Sequence, residues 1–135
     1  QCCQHVGKSS LVTVTSSGQP EINAYPFTTI NLKVGHIMKD NTRIQVMDTP
    51  GILSRAEARN PMEGLTLAAV EHLPSAVMYI MDLSGLSGEQ SSPQLQLAVR
   101  DQVRAQYPDR PWLDVRTKAD LPLAEGVDAA LIPEG

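Results

Sequence analysis

Cysteine is nearly absent from this chain, and the two it has, Cys2 and Cys3, are adjacent. Neighbouring thiols offer neither a disulfide framework nor a metal-ligand spacing, so a reducing compartment is the default reading. Long apolar runs are missing as well. The longest, Ala76 to Met81, suits a buried strand and falls far short of the about 20 residues that cross a bilayer, so no membrane contact is expected. No signal or transit peptide is visible at the start. Basic charge is also in short supply: 11 Lys and Arg against 15 Asp and Glu leave a formal net charge of −4. A domain that grips nucleic acid through its phosphates is ordinarily basic, which disfavours direct nucleic-acid binding by this segment. His5, His36 and His72 are too scattered for a metal cluster and read as surface or half-buried side chains. There is no internal repeat and no low-complexity run.

What is present describes one ordinary α/β unit. The chain has 135 residues, 41% apolar and 19% charged. Apolar periodicity switches repeatedly between strand and helix character, which predicts alternating β and α elements on a mostly parallel sheet. A short helix is expected from Lys8 to about Ser16, then a long loop from Ser17 to Thr29 punctuated by Gly18, Pro20 and Pro26. Ile30, Leu32 and Val34 alternate with polar residues as a half-exposed strand does. Lys39-Asp40-Asn41-Thr42 turns the chain, and Arg43 to Met47 returns antiparallel. Asn60 can cap a helix with Pro61 at its first position and Glu63 in a capping box; Pro74 ends it after His72. Ala76 to Met81 reads as a strand buried on both faces. Ser92 and Pro93 start a helix whose Leu95, Val99 and Val103 share a face, and Trp112 to Arg116 forms a last strand. The division expected is a domain over residues 1–121 and a tail over 122–135.

Three short motifs then fall in a telling order. Val6-Gly7-Lys8-Ser9-Ser10 matches the end of a phosphate-binding loop, in which backbone N–H groups and a helix N-terminus converge on phosphate oxygens. Lys8 would meet the β- and γ-phosphates, and Ser9 a Mg²⁺ ion. Asp48-Thr49-Pro50-Gly51 lies 39 positions beyond Ser9 at a strand end, where Asp48 can face the metal through water and Gly51 can offer its N–H to the γ-phosphate. Thr117-Lys118-Ala119-Asp120 follows the last strand. A carboxylate at Asp120 accepts from the N1 and N2 donors of guanine, a pair that adenine lacks. Lys118 would lay its stem along the base. Thr28 and Thr29 lie where a mobile loop would supply a hydroxyl to Mg²⁺, Thr29 by preference.

These residues resemble a family. Gly18-x-Pro20-Glu21-Ile22-x-x-Tyr25-Pro26-Phe27-Thr28-Thr29 is similar to the first switch of Obg-like GTPases. Val34-Gly35-His36, Gln45-Val46-x-Asp48-Thr49-Pro50-Gly51-Ile52-Leu53, Arg59-Asn60 and Leu73-Pro74-x-Ala76-Val77-x-Tyr79-x-x-Asp82-Leu83-Ser84 resemble its nucleolar GTP-binding (Nog) branch. The resemblance implies a P-loop G domain with an antiparallel edge hairpin, GTP and GDP as ligands with Mg²⁺, and slow hydrolysis. It also implies work on a pre-ribosomal particle in large-subunit assembly. The nucleus or nucleolus comes first by family habit, with chloroplast or mitochondrion as alternatives. Ile52 stands where signalling GTPases carry a water-orienting glutamine, so turnover should be slow. Arg55 and Arg59 are conceivable helpers, although arginines there are ordinarily solvated.

The chain departs from the family pattern in its first residues: Cys2 takes the place of the first loop glycine, and Gln4-His5 the place of Pro-Asn. Two other functions therefore stay open, a nucleotide-free scaffold module and a P-loop ATPase, the latter disfavoured by Asp120. The strand expected before the loop, central in this fold, does not precede Val6, nor is there a convincing Ser-Ala base-contacting loop, final strand or closing helix after Leu121. A central strand burying about five aliphatic side chains supplies some ~8–15 kcal/mol, which rivals the net stability of a whole domain. The expectation is that this sequence is part of a longer GTPase. The 135-residue chain alone should accordingly lack a cooperative, high-temperature melt in scanning calorimetry without nucleotide; a sharp transition there would overturn that expectation.

Overall fold

The computed structural model describes residues 6–16, 21–23, 32–49, 61–88, 91–128 and 132. Helix α1 (Lys8–Thr15) starts where Gly7 swings the backbone into the left-handed region, φ 92°. Its Val-Thr-Val-Thr run is poor helix material, because branched Cβ atoms crowd the preceding turn. Thr13 and Thr15 donate their hydroxyls to the carbonyls of Ser9 and Leu11, at 2.8 and 2.7 Å, back-bonds of the kind that bend a helix rather than strengthen it.

A three-stranded antiparallel sheet follows. Strands β2 (Leu32–Lys39) and β3 (Thr42–Asp48) form a hairpin whose register sets Lys33 opposite Asp48. Asp40 and Asn41 close it with φ of 49° and 62°, the positive values that a two-residue turn needs and that short polar side chains tolerate. The open edge of β2 recruits β1 (Glu21–Asn23), Glu21 opposite Val34. The sequence reading placed these three residues in a loop. Main-chain pairing to an open edge requires no apolar alternation, so Glu-Ile-Asn carried no signal for it.

Helix α2 (Pro61–His72) joins two clusters. Leu65 and Ala69 pack with Met47 of β3 and with Leu73, whereas Leu67 joins Val99 and Val103. Those two valines belong to α3 (Pro93–Gln106), which connects the parallel pair β4 (Val77–Asp82) and β5 (Trp112–Thr117). Ser92 caps α3 by accepting the Leu95 N–H at 3.4 Å, with Pro93 next to it, as expected. The core face of α3 is shifted from the reading, however. Leu95 is 37% exposed, while the amide of Gln96 is buried beside Val99 and Val103. Tyr79 and Trp112 stack on the same side with ring centroids 5.8 Å apart. Arg100 donates to both carboxylate oxygens of Asp114, at 3.0 and 2.6 Å, tying α3 to β5.

Two more expectations need correcting. Strand β4 is not buried on both faces: Met78 and its register partner Leu113 are half-exposed, because α3 covers only their opposite side among the described residues. His36 is buried rather than half-buried, with its Nε2 2.8 Å from Nη2 of Arg43 across the hairpin. Among the described residues the strands form two separate sheets, β1-β2-β3 and β4-β5. After Thr117 the described residues form turns only. No helix among the described residues is long and apolar enough to cross a membrane.

Gly35 lets α1 close on β2. A Cβ there would lie 2.6 Å from the Ser16 Cβ, which is not a flexible side-chain end. Gly35→Ala should cost about 1–3 kcal/mol in urea unfolding. A loss below about 0.5 kcal/mol would show that α1 shifts freely against the hairpin.

Candidate functional site

The motif residues gather around the N-terminus of α1 and the C-terminal ends of β3, β4 and β5. Gly7 is the N-cap of α1, Lys8 its first residue, and Ser10 is exposed within its first turn. Ser9 donates its hydroxyl to Oδ2 of Asp48, the last residue of β3, at 2.6 Å. Two segments 39 residues apart therefore present a hydroxyl and a carboxylate oxygen to one point. Such hard oxygen donors suit Mg²⁺, which takes one or two protein oxygens and fills its shell with phosphate and water. No group of three or more His, Cys, Asp or Glu able to hold a metal occurs among the described residues, so a cation here would depend on that outside supply.

The base-side motif is bound to the phosphate loop. Thr117, at the end of β5, has its hydroxyl 2.7 Å from the carbonyl of Val6 and 3.1 Å from that of Met81. Its Cγ2 would also meet any Cβ added at Gly7, at 3.6 Å. Val6 is completely buried. The Thr117 hydroxyl is thus engaged with main chain, and it sets the distance between the two motifs. Lys118 follows with φ 51°, and the Leu121 N–H donates to the Lys118 carbonyl at 3.0 Å, closing a turn that leaves Asp120 exposed. Arg116 braces the turn by donating to the Leu121 carbonyl at 3.0 Å. Thr28, Thr29, Gly51, Ile52, Arg55, Arg59 and the residues before Val6 lie outside the described residues.

Sequence reasoning gave no role to Asp82, which the structure puts where the loops after β4 and β5 meet. This last residue of β4 is fully buried, and its Oδ2 accepts from Lys118 Nζ and Ser87 Oγ, each at 2.5 Å. Its Oδ1 accepts the N–H and hydroxyl of Ser84, at 2.9 and 2.5 Å. Burial pushes the carboxyl up, but Lys118 and the two serines outweigh it and hold the group far below the usual carboxylate range. A signal was available: an acidic residue closing an otherwise apolar strand needs a partner, and serine follows it two positions later.

The family model described as Nucleolar GTP-binding protein 1 (NOG1) matches residues 61–120, from the start of α2 through Asp120. The protein of that name from Arabidopsis thaliana is 36% identical over 134 residues, covering 96% of this chain and 20% of that protein. The Encephalitozoon cuniculi protein of the same name is 43% identical over 94 residues, 69% of this chain and 18% of that protein. The chain belongs to the nucleolar GTP-binding protein 1 family. It spans about a fifth of the length of these curated relatives. Among solved structures, the G domain of the T. maritima FeoB iron transporter superposes with a TM-score of 0.67 at 18% identity, covering 87% of this chain and 69% of that one. The fold of this family member is therefore that of a G domain.

The depressed Asp82 carboxyl couples stability to pH. Its contribution is complete above the unfolded value near 3.8 and is lost as pH falls from there toward the lower folded value. The stability gap between wild type and Asp82→Asn should be constant from about pH 5 to 7 and shrink below about pH 4. A gap that widens in acid would contradict the ion pair.

Proposed function

We propose that this chain carries the nucleotide-binding part of a guanine-nucleotide switch that binds GTP and GDP with Mg²⁺ and hydrolyses GTP slowly. The work of the switch would lie in assembly of the large ribosomal subunit, in the nucleolus, on a pre-ribosomal particle. The supporting observation is the meeting of Ser9 and Asp48 at 2.6 Å across 39 residues of sequence, beside a base-side turn hydrogen-bonded to the same loop. The compartment rests on the relatives, which are named as nucleolar.

Each residue has a definable task. The N–H groups at the start of α1 and the Lys8 ammonium bind the β- and γ-phosphates. Ser9 and Asp48, with a hydroxyl from Thr29 or Thr28, would hold the cation, and Gly51 would donate its N–H to the γ-phosphate. A cation held there by Ser9 and Asp48 would supply positive charge against the phosphates. Asp120 accepts from guanine N1–H and N2–H, and Lys118 lays its stem along the base. Ile52 has no polar atom to orient water, which makes turnover slow unless another group assists. With a net charge of −4, contacts to a ribosomal particle would run through something other than a general basic surface.

Titration of a fluorescent GTP analogue should show micromolar, Mg²⁺-dependent binding that Lys8→Ala abolishes. Asp120→Asn should weaken guanine nucleotides by at least about a hundredfold, since a carboxamide cannot accept both donors, and should favour xanthine nucleotides, which offer an acceptor instead. Equal competition by ATP would turn the reading toward an ATPase. Absence of binding to any nucleotide would leave a scaffold module.

A further inference from the structure

We propose that Asp82, held in place by Gln96, is the positioning residue for base recognition: its carboxylate fixes Lys118 and, through it, the turn that presents Asp120 to the purine. The proposal rests on the nucleotide site described above and assigns it a part that makes no nucleotide contact of its own.

The geometry is unusually restrictive for a strand end. The Gln96 amide, 2% exposed on α3, pairs with the Asp82 main chain as a neighbouring strand would. Its Nε2 donates to the Asp82 carbonyl and its Oε1 accepts the Asp82 N–H, both at 2.8 Å. Nε2 also donates to the Ser91 carbonyl at 2.6 Å, and the Tyr79 hydroxyl donates to the Gln96 carbonyl at 2.8 Å. Asp82 therefore cannot slide relative to α3. From that fixed point its carboxylate reaches Ser84 and Ser87 on one loop and Lys118 on another. A lysine with φ 51° occupies a backbone region that a residue bearing a Cβ visits at a cost, and holds it only when something outside the turn compels it. The ion pair to Asp82 does so, and it keeps two-thirds of the Lys118 side chain out of solvent. The bonds described for the phosphate half run among Val6, Ser9, Asp48 and Thr117, and the two halves meet at the Thr117 hydroxyl rather than at the Asp82 carboxylate.

The donors to the Asp82 carboxylate are Ser84, Ser87 and Lys118, none of them in the phosphate loop, and this makes the test specific. Binding of guanosine diphosphate and of inorganic pyrophosphate should be measured by calorimetry on wild type and Asp82→Asn. The expected result is a loss of about tenfold or more for the nucleotide, the scale of one charged hydrogen bond, with pyrophosphate unchanged. Asp82→Asn combined with Lys118→Met should lose little more than either change alone. Equal losses for nucleotide and pyrophosphate would overturn the proposal, since a merely structural carboxylate would injure both. So would no loss at all, or additive losses in the double variant. Should Asp82→Asn not fold, Ser87→Ala, which removes one donor from the same oxygen, decides the matter on the same two ligands. Failure of the wild type to bind either ligand would instead sink the nucleotide reading itself.

Discussion

The hydroxyl of Thr117 sits where three parts of the chain meet: the phosphate loop through the Val6 carbonyl, the end of β4 through the Met81 carbonyl, and its own strand β5. Among the described residues the two sheets have no hydrogen-bonded strand in common, so contacts of this kind set how the hairpin side and the parallel side face one another at the site. Ser9 to Asp48 is the second such contact, and α2, packed on β3 with one face and on α3 with another, is the third. Remove the Thr117 hydroxyl and the Val6 carbonyl is left buried without that partner, a penalty of about 1–3 kcal/mol charged at the point where phosphate and base motifs must keep their spacing.

Three aspartates mark the site, and their surroundings divide the labour. Asp48 ends β3 half-buried and faces a hydroxyl. Asp82 ends β4 with no exposure and four donors. Asp120 lies exposed in the turn after β5. An exposed carboxylate remains available to a ligand, whereas a fully satisfied one has no acceptor capacity to spare and can only hold its neighbours. This gradient, read across the ends of β3, β4 and β5, is what rigid strand termini supply: short loops reach from them to different depths.

Much of this was legible because it is written in local chemistry. Gly7 before a helix, Asp40-Asn41 in a two-residue turn and Ser92-Pro93 at a helix start each declare a backbone conformation that few other residues take. The order of the three motifs pointed to a G-domain fold, and the likeness to a solved G domain bears that fold out. What escaped depended on partners far along the chain. Strand β1 forms because β2 has an open edge, not because Glu-Ile-Asn favours extension. Gln96 is buried because its amide finds a strand end to pair with, so a polar residue displaced Leu95 from the face that periodicity assigned to it. His36 and Arg43 likewise meet only once the hairpin register is known.

The likeness to the FeoB G domain at 18% identity shows how little of the fold depends on particular side chains: apolar strands, a helix after a glycine turn and correct connections suffice. Identity to the Arabidopsis thaliana relative is twice as high, 36%, and the match to the family model ends at Asp120, in the turn after β5. The segment it spans includes α2, β4, α3 and β5, which together carry Asp82, Gln96, Thr117 and Lys118. Within that segment the exposed Asp120 follows a framework of buried polar bonds around Asp82 and Gln96. Those bonds must be satisfied in full or replaced together, because a half-paired carboxylate in the interior costs more than no carboxylate at all.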